Sequence, residues 1–137
     1  MHRKSTPILA HHTGFTVLEL VIVVAFLTIG TILFFVQKTN LDAMDRDRQR
    51  KIAINAMYYS LEESFHYDYG YYPESISDQN LKTLDPALFT DPWGYNIGTE
   101  GSTYRYDPAG CTDGKCASYT LRAMLETEDI FVKQSRH

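Results

Sequence analysis

This sequence lacks the residue patterns on which most small enzymes depend. It has no Gly-x-Ser-x-Gly turn, no His-Glu-x-x-His zinc motif and no phosphate-binding glycine loop. Its two cysteines, Cys111 and Cys116, have a spacing that does not fit a zinc site without a second pair. His66 and His137 stand apart in the sequence from other potential ligands. We therefore expect no enzymatic activity, no bound metal and no cofactor.

Basic residues are in the minority. The 137 residues include 13 Lys and Arg against 17 Asp and Glu, a net charge of −4. Arg3 and Lys4 are the charged residues among the first 14, so the remainder carries 11 basic against 17 acidic residues, a net charge of −6. Binding to nucleic acid depends largely on cationic contacts with phosphates. This balance argues against a nucleic-acid partner.

Helix-breaking residues are missing from a long central stretch. No Gly or Pro lies between Gly30 and Gly70, and Pro73 is the first proline after the amino-terminal segment. Gly and Pro are the least favourable residues inside a helix. The stretch predicts one continuous helix from residue 15 to about residue 66, with Gly30 as its weak point.

One apolar run is long enough to cross a membrane. Residues 15–36 contain a single charged residue, Glu19. As a helix these residues span about 33 Å, close to the thickness of the hydrocarbon core of a bilayer. A cleaved secretory signal would have a shorter apolar core followed by an Ala-x-Ala type site, which the sequence after Gly30 does not match. An uncleaved signal anchor stays open on composition alone.

The start of the apolar run has an unusual composition. Residues 12–20 read HTGFTVLEL, directly after a short polar leader. This junction resembles the signature of prepilins, the precursors of type IV pilins and of the pseudopilins of type II secretion. The resemblance implies that a prepilin peptidase removes residues 1–14 by cutting between Gly14 and Phe15, and that Phe15 is then N-methylated. Gly14 has no side chain, which lets a protease approach the peptide bond closely.

Glu19 is the acidic residue of that signature. A charge within the bilayer costs roughly 2.5–3.5 kcal/mol at the centre and less towards the edge. Glu19 could lie near the headgroups, or it could have a partner. The resemblance favours a partner, namely the amine of Phe15 on a neighbouring subunit during filament assembly.

The resemblance also implies a topology and a set of partners. The chain would be a single-pass protein of the cytoplasmic membrane, with its carboxyl-terminal part outside, and afterwards part of a surface or periplasmic filament. Its partners would be other copies of itself, related pilins, the prepilin peptidase and the inner-membrane assembly platform. A bare count of Lys and Arg on either side of the span favours the opposite orientation. We expect the leader and the peptidase route to decide.

The helix changes character after the apolar run, so that residues 37–69 form an amphipathic continuation. Residues 41–51 are mostly charged, with acid-before-base pairs from Asp42 to Arg46 and from Asp47 to Lys51. They predict a solvated helical face. Further along, one apolar stripe falls on a single face and predicts a helix packed against the rest of the chain: Ile54, Met57, Tyr58, Leu61 and Phe65.

Residues 70–137 predict a small head. Gly70 and Pro73 end the helix. One short helix is expected over residues 75–84, a turn at residues 91–94, and antiparallel strands over residues 103–106 and 117–126. The Gly-Tyr-Tyr-Pro helix exit and the Asp-Pro-Trp-Gly turn are similar to those of the same family, the turn particularly to its secretion branch. The fold class is therefore α+β and pilin-like: a long helix packed on a small antiparallel sheet.

The two cysteines flank a turn sequence, because Asp113 and Gly114 favour a two-residue hairpin. Cys111 and Cys116 would then face each other across the hairpin at a Cα separation of about 4.5 Å. That separation is within disulfide range. We expect an intrachain disulfide, with two free thiols as the alternative.

The resemblance implies a structural protein, a subunit of a type IV pilus used in attachment or twitching motility. The alternatives are a pseudopilin of a type II-like secretion system, or a membrane-tethered minor pilin acting in adhesion or DNA uptake. Weak candidate contacts for that last role are Arg105, Lys115 and Arg122. Some pseudopilins hold calcium in the head, but no calcium loop is found among the available carboxylates: Asp107, Asp113, Glu126, Glu128 and Asp129.

Overall fold

The computed structural model describes residues 14–137, in which one long helix comes first. Helix α1 is Val17–Tyr59, a π-helical segment follows at Ser60–Phe65, and α2 is His66–Tyr69. Gly70 ends the helix in the left-handed conformation, with φ of 72°, which a residue without Cβ adopts easily. The prediction of a continuous helix that stops at Gly70 is confirmed, whereas the π-helical segment has no counterpart in the prediction.

Two small antiparallel sheets follow the helix. Strand β1 is Tyr72–Pro73, β2 is Tyr104–Ala109, β3 is Lys115–Cys116, β4 is Ser118–Ala123 and β5 is Phe131–Gln134. Strand β1 pairs with β3, and the larger sheet has the order β2-β4-β5. The fold class is α+β, as predicted. Strands β2 and β4 lie where strands are predicted over residues 103–106 and 117–126, whereas β1 and β5, a four-residue strand at the sheet edge, are not predicted.

The described chain divides into two compact units, one ending at Lys38 and the other comprising Thr39–His137. The second unit contains the hydrophobic core, to which helix, strands and loops all contribute. The helical stripe predicted to be core is confirmed, with Tyr58 half-buried at its margin. The buried apolar residues are Ala53, Ile54, Met57, Leu61, Phe65, Tyr72, Ile76, Leu81, Leu84, Phe89, Tyr104, Cys116, Tyr119, Leu121 and Ala123.

The short helix expected over residues 75–84 is wrong. This segment consists of bends and turns, held by Asn80, whose Nδ2 donates to the Ser75 carbonyl at 2.6 Å and whose Oδ1 accepts from the Ser77 N–H at 2.9 Å. Asn side chains that bond nearby backbone groups compete with helix formation. The apolar residues of the segment are nevertheless buried, and a short 3₁₀ helix follows at Pro86–Phe89.

The predicted solvated face over residues 41–51 is confirmed for Asp42, Asp45 and Arg48, which are exposed, but it is wrong for two charged residues. Asp47 and Arg50 are 2% and 0% exposed. The expected i,i+4 ion pairs give way mainly to pairs across the fold, because Arg46 binds Glu126 at 2.6 Å and Arg50 binds Glu126 at 2.7 Å. Within the helix, Arg50 also binds Asp47 at 2.8 Å, three positions earlier. Lys51 likewise binds a distant acid rather than its helical neighbour.

The hairpin at residues 111–116 is confirmed. Asp113 and Gly114 have φ of 51° and 74° at the centre of the turn, as a type I′ turn requires. Cys111 and Cys116 are joined by a disulfide, and their Cα atoms lie 3.9 Å apart, closer than the expected 4.5 Å. Strand β3, which follows the turn, pairs with β1 and connects the hairpin to the helix exit.

Candidate functional site

The junction at residues 14–19 lies at the very start of the helix. Thr16 precedes the first helical residue, and its hydroxyl accepts a hydrogen bond from the Glu19 N–H at 3.2 Å. The carbonyl of Thr16 accepts from the Leu20 N–H at 3.1 Å. Thr16 is therefore the N-cap of α1. The sequence carries a signal for this role, the Thr-x-x-Glu spacing before an apolar run, which the prediction of the helix start did not use.

Gly14 and Phe15 are exposed in front of this cap. No atom outside the neighbouring residues lies within 4 Å of the position that a Cβ on Gly14 would occupy. A larger residue at position 14 would thus meet no steric resistance from the described chain. The described residues therefore give no steric reason for a glycine at position 14.

The first half of α1 presents an uncovered apolar surface. Within the helix, an 18-residue stretch has a mean hydropathy of 2.6, and none of it is buried by the rest of the described chain. The helix is long and apolar enough to cross a membrane. Its hydroxyls are satisfied internally, since Thr28 donates to the Val24 carbonyl at 2.8 Å and Thr31 donates to the Leu27 carbonyl at 2.7 Å. Internal satisfaction of polar groups is what a hydrocarbon environment demands.

Glu19 is the exception in this apolar surface. Its side chain is exposed and forms no ion pair with any of residues 14–137. A carboxylate without a partner is costly at membrane depth. As part of the first helical turn it is favoured by the positive end of the helix dipole, but that effect is worth only about 0.3–1 kcal/mol. Glu19 is thus a charge in this apolar surface that no ion pair within residues 14–137 balances.

In the second unit the most buried charges form a clamp around Asp47. Its carboxylate accepts from the N–H groups of Glu126 and Thr127, from the Thr127 hydroxyl and from Arg50, all at 2.8–3.0 Å. Burial alone would raise the pKa of Asp47, but these hydrogen bonds lower it to about 2. The hydrogen bond from Arg46, opposed by burial and aided by Arg50, lowers the pKa of Glu126 to about 2. Both carboxylates stay ionised at neutral pH, so they bind the helix to residues 126–127 rather than exchange protons.

A second buried carboxylate, Glu62, lies in the π-helical segment. It accepts hydrogen bonds from the Tyr119 hydroxyl at 2.8 Å, from the Tyr72 hydroxyl at 3.1 Å and from the Arg136 N–H at 3.3 Å. Burial, followed by the charge of Glu62 and its hydrogen bond, raises the pKa of Tyr72 to about 12. This group joins the helix to β1 and β4. These hydrogen bonds are structural, because Glu62 and both tyrosines are buried.

The two histidines that are isolated in the sequence meet in the fold, which corrects the expectation drawn from their separation. The rings of His66 and His137 are stacked with centroids 4.7 Å apart, and Tyr72 stacks on His66 at the same distance. Within residues 14–137 no group of three or more His, Cys, Asp or Glu side chains is arranged to hold a metal ion.

Several of the remaining candidates from the sequence have partners within the fold, Glu128 among them through Lys51. Asp107 pairs with Arg122, and Arg105 donates to two backbone carbonyls. Lys115 lies over the Tyr71 ring at 5.2 Å from its centroid.

Similarity to known proteins adds no further support. No protein-family model, no curated protein and no solved structure matches this chain.

Proposed function

We propose that this chain is a pilin-like structural protein, a subunit of a type IV pilus. The observation that carries the proposal is the junction of residues 14–19: a sterically open Gly14 before an exposed Phe15, a helix that starts at once, and a lone carboxylate in its first turn. In this proposal a prepilin peptidase cuts after Gly14, and the helix is held in the membrane until assembly.

The uncovered helix supports assembly into a filament. Burial of apolar surface contributes roughly 25 cal/mol per Å² to stability. The apolar side chains of residues 15–36 are exposed, and no other part of the described chain covers them, so this contribution is still available. Lipid can cover this surface before assembly, and the same surface on other copies can cover it afterwards. The head, with its own core in the second unit, is then carried outside the membrane.

Glu19 has the assembly role in this proposal. The new amine of Phe15 on an incoming subunit would pair with Glu19 of a neighbour, because two opposite charges in a low-dielectric surrounding attract strongly and an unpaired one is costly. Insertion does not need the carboxylate. Its removal makes the span more apolar.

The test is Glu19→Ala in the native host, followed by membrane fractionation, a cleavage assay and a count of sheared surface filaments. We expect normal insertion, cleavage after Gly14 and few or no filaments. The matched control is Thr28→Ala, which also removes a polar side chain from the span but one that bonds only its own helix. Wild-type filament numbers for Glu19→Ala would contradict the pairing.

A mature chain that begins anywhere other than at Phe15 would overturn the proposal more directly. Amino-terminal sequencing or mass spectrometry of the membrane-extracted protein gives that answer. Gly14→Leu should accumulate uncut precursor, because a bulky side chain beside the scissile bond would hinder the peptidase while meeting none of the described residues.

A secretion pseudopilin is the second candidate, and the turn at residues 91–94 favours it through its resemblance to that branch. Asp91 organises the turn by accepting from the N–H groups of Trp93, Tyr95 and Thr103 at 2.8–3.0 Å. Deletion of the gene discriminates the two: loss of surface filaments supports the pilus, and retention of exported proteins inside the cell supports the secretion system.

The minor-pilin role in DNA uptake has less support, because Arg105 and Arg122 already have partners.

A further inference from the structure

A cleft of about 430 Å³ opens beside the π-helical segment of the head. One wall is the helix from Ser60 to Tyr69, another is the turn segment over residues 79–83, and Tyr71 after the helix exit completes it. Its volume is in the range of small-molecule sites. The π-helical turn at its wall is of a kind that often occurs at functional sites.

The floor of the cleft is closed and firmly held. Leu81, which is 1% exposed, lies at the floor. Ser60 and Thr83 join the two walls through their hydroxyls, 3.0 Å apart. The turn wall is in addition held by the two hydrogen bonds of Asn80. The cleft is therefore formed before any ligand arrives.

Three aromatic rings line one side. The ring of Phe65 lies 4.7 Å from that of Tyr69 and 5.7 Å from that of Tyr71, centroid to centroid. Lys115 covers part of Tyr71, whereas Tyr69 is 59% exposed. Tyr69 therefore presents a flat apolar surface with a hydroxyl at its edge.

Polar side chains with unused hydrogen-bonding capacity lie around these rings. Among residues 14–137, the side chains of Asp68, Gln79 and Lys82 have no hydrogen-bond or ion-pair partner. Together they offer carboxylate acceptors, an amide that both donates and accepts, and an ammonium donor. One acid and one base cancel in charge, so the cleft suits a neutral ligand better than a phosphate or a divalent cation.

The geometry points to this cleft as a binding site for a neutral saccharide of one or two units. The apolar face of a sugar ring lies on Tyr69, and its hydroxyls exchange hydrogen bonds with Asp68, Gln79 and Lys82. For so small and polar a ligand, a dissociation constant of about 1 mM is expected. The site belongs to the head alone and does not depend on the proposal that the chain assembles into filaments.

The experiment uses the full chain in a phosphocholine detergent, since detergents with sugar headgroups would compete. Glucose, galactose, mannose, N-acetylglucosamine and lactose are titrated separately and followed by saturation-transfer NMR. We expect at least one to bind saturably. Tyr69→Ala should weaken that binding at least tenfold, and Asp68→Ala should weaken it as well.

The matched control is Tyr67→Ala, two residues away, 85% exposed and outside the cleft. It should bind as the unaltered protein does. The fluorescence of Trp93 reports whether each variant is folded. Failure of every sugar to bind, equal loss in Tyr67→Ala, or binding of inorganic phosphate with equal or higher affinity would each overturn the assignment.

Discussion

Replacement of Asp47 by Asn tests whether the buried clamp holds the head together. The change preserves the shape of the side chain but removes its charge and converts one acceptor oxygen into a donor. That donor would face the N–H groups of Glu126 and Thr127 or the guanidinium of Arg50, all of which are donors themselves. Arg50, which is 0% exposed, would lose one of its two carboxylate partners.

The cost can be worked from the carboxyl's titration. Its pKa of about 2, against an ordinary value of 3.8, means that the fold favours the ionised form by about 2 kcal/mol. Breaking a buried pair by removing one partner costs about 3–5 kcal/mol. Since Arg50 keeps Glu126 at 2.7 Å, we expect the lower end, a loss of about 3 kcal/mol in the free energy of unfolding.

The measurement is urea unfolding of the full chain in detergent, followed by the fluorescence of its single tryptophan. Trp93 is well placed because the Arg46 guanidinium lies 4.8 Å from its ring centroid and also binds Glu126. The matched control is Asp45→Asn, which alters the same residue type two positions away. Asp45 is exposed and bonds only Gln49, so the control should change stability by less than about 0.5 kcal/mol. Equal losses in the two variants, or no loss at Asp47, would refute the reasoning.

Three further outcomes are expected of the head. Asp47 and Glu126 have pKa values of about 2 in the fold against 3.8 and 4.5 ordinarily, so their stabilisation is complete above about pH 5 and is lost as the pH falls towards 2, which an acid titration of Trp fluorescence will follow. Replacing Cys111 and Cys116 by Ser should cost about 2 kcal/mol for so short a loop; intact mass without reductant should show no free thiol in the unaltered protein, and two alkylated thiols would contradict the bridge. Glu62→Leu should cost about 2–4 kcal/mol in urea unfolding because it leaves buried phenols unpaired, and Glu62→Gln should cost less; equal costs would contradict the hydrogen-bonding role.

Local patterns predicted the parts of the fold that local physics decides. The absence of Gly and Pro predicted the helix, the apolar stripe from Ile54 to Phe65 predicted its buried face, and Asp113 with Gly114 predicted the hairpin. Each depends on a period or on the conformational freedom of one or two residues.

The failures share a different cause, which is that distant residues decide the outcome. The local sequence predicts that Asp47 is solvated, because its partners, residues 126 and 127, are about 80 positions further along the chain. Strand β5 is short and half-exposed, and its alternation is too brief to stand out. Residues 75–84 have the apolar spacing of a helix, but Asn80 bonds the backbone locally and holds turns instead.

At the junction, the sequence could name Gly14, Phe15 and Glu19, but only through resemblance. The cap by Thr16 was readable from the Thr-x-x-Glu spacing alone. The cleft beside the π-helical segment could not have been predicted, because its second wall is the turn segment over residues 79–83, where the sequence predicts a helix.

The position of Asp47 and Arg50 also decides where a water-soluble version of the head can begin. A fragment that starts at residue 52, where the apolar stripe would suggest a boundary, would discard both side chains and leave Glu126 without Arg46 and Arg50. A fragment from Thr39 retains every residue of the compact second unit and omits the apolar run. Protein engineers who want the head for crystallisation or immunisation should therefore cut the helix near residue 39, one turn or more before the buried charges.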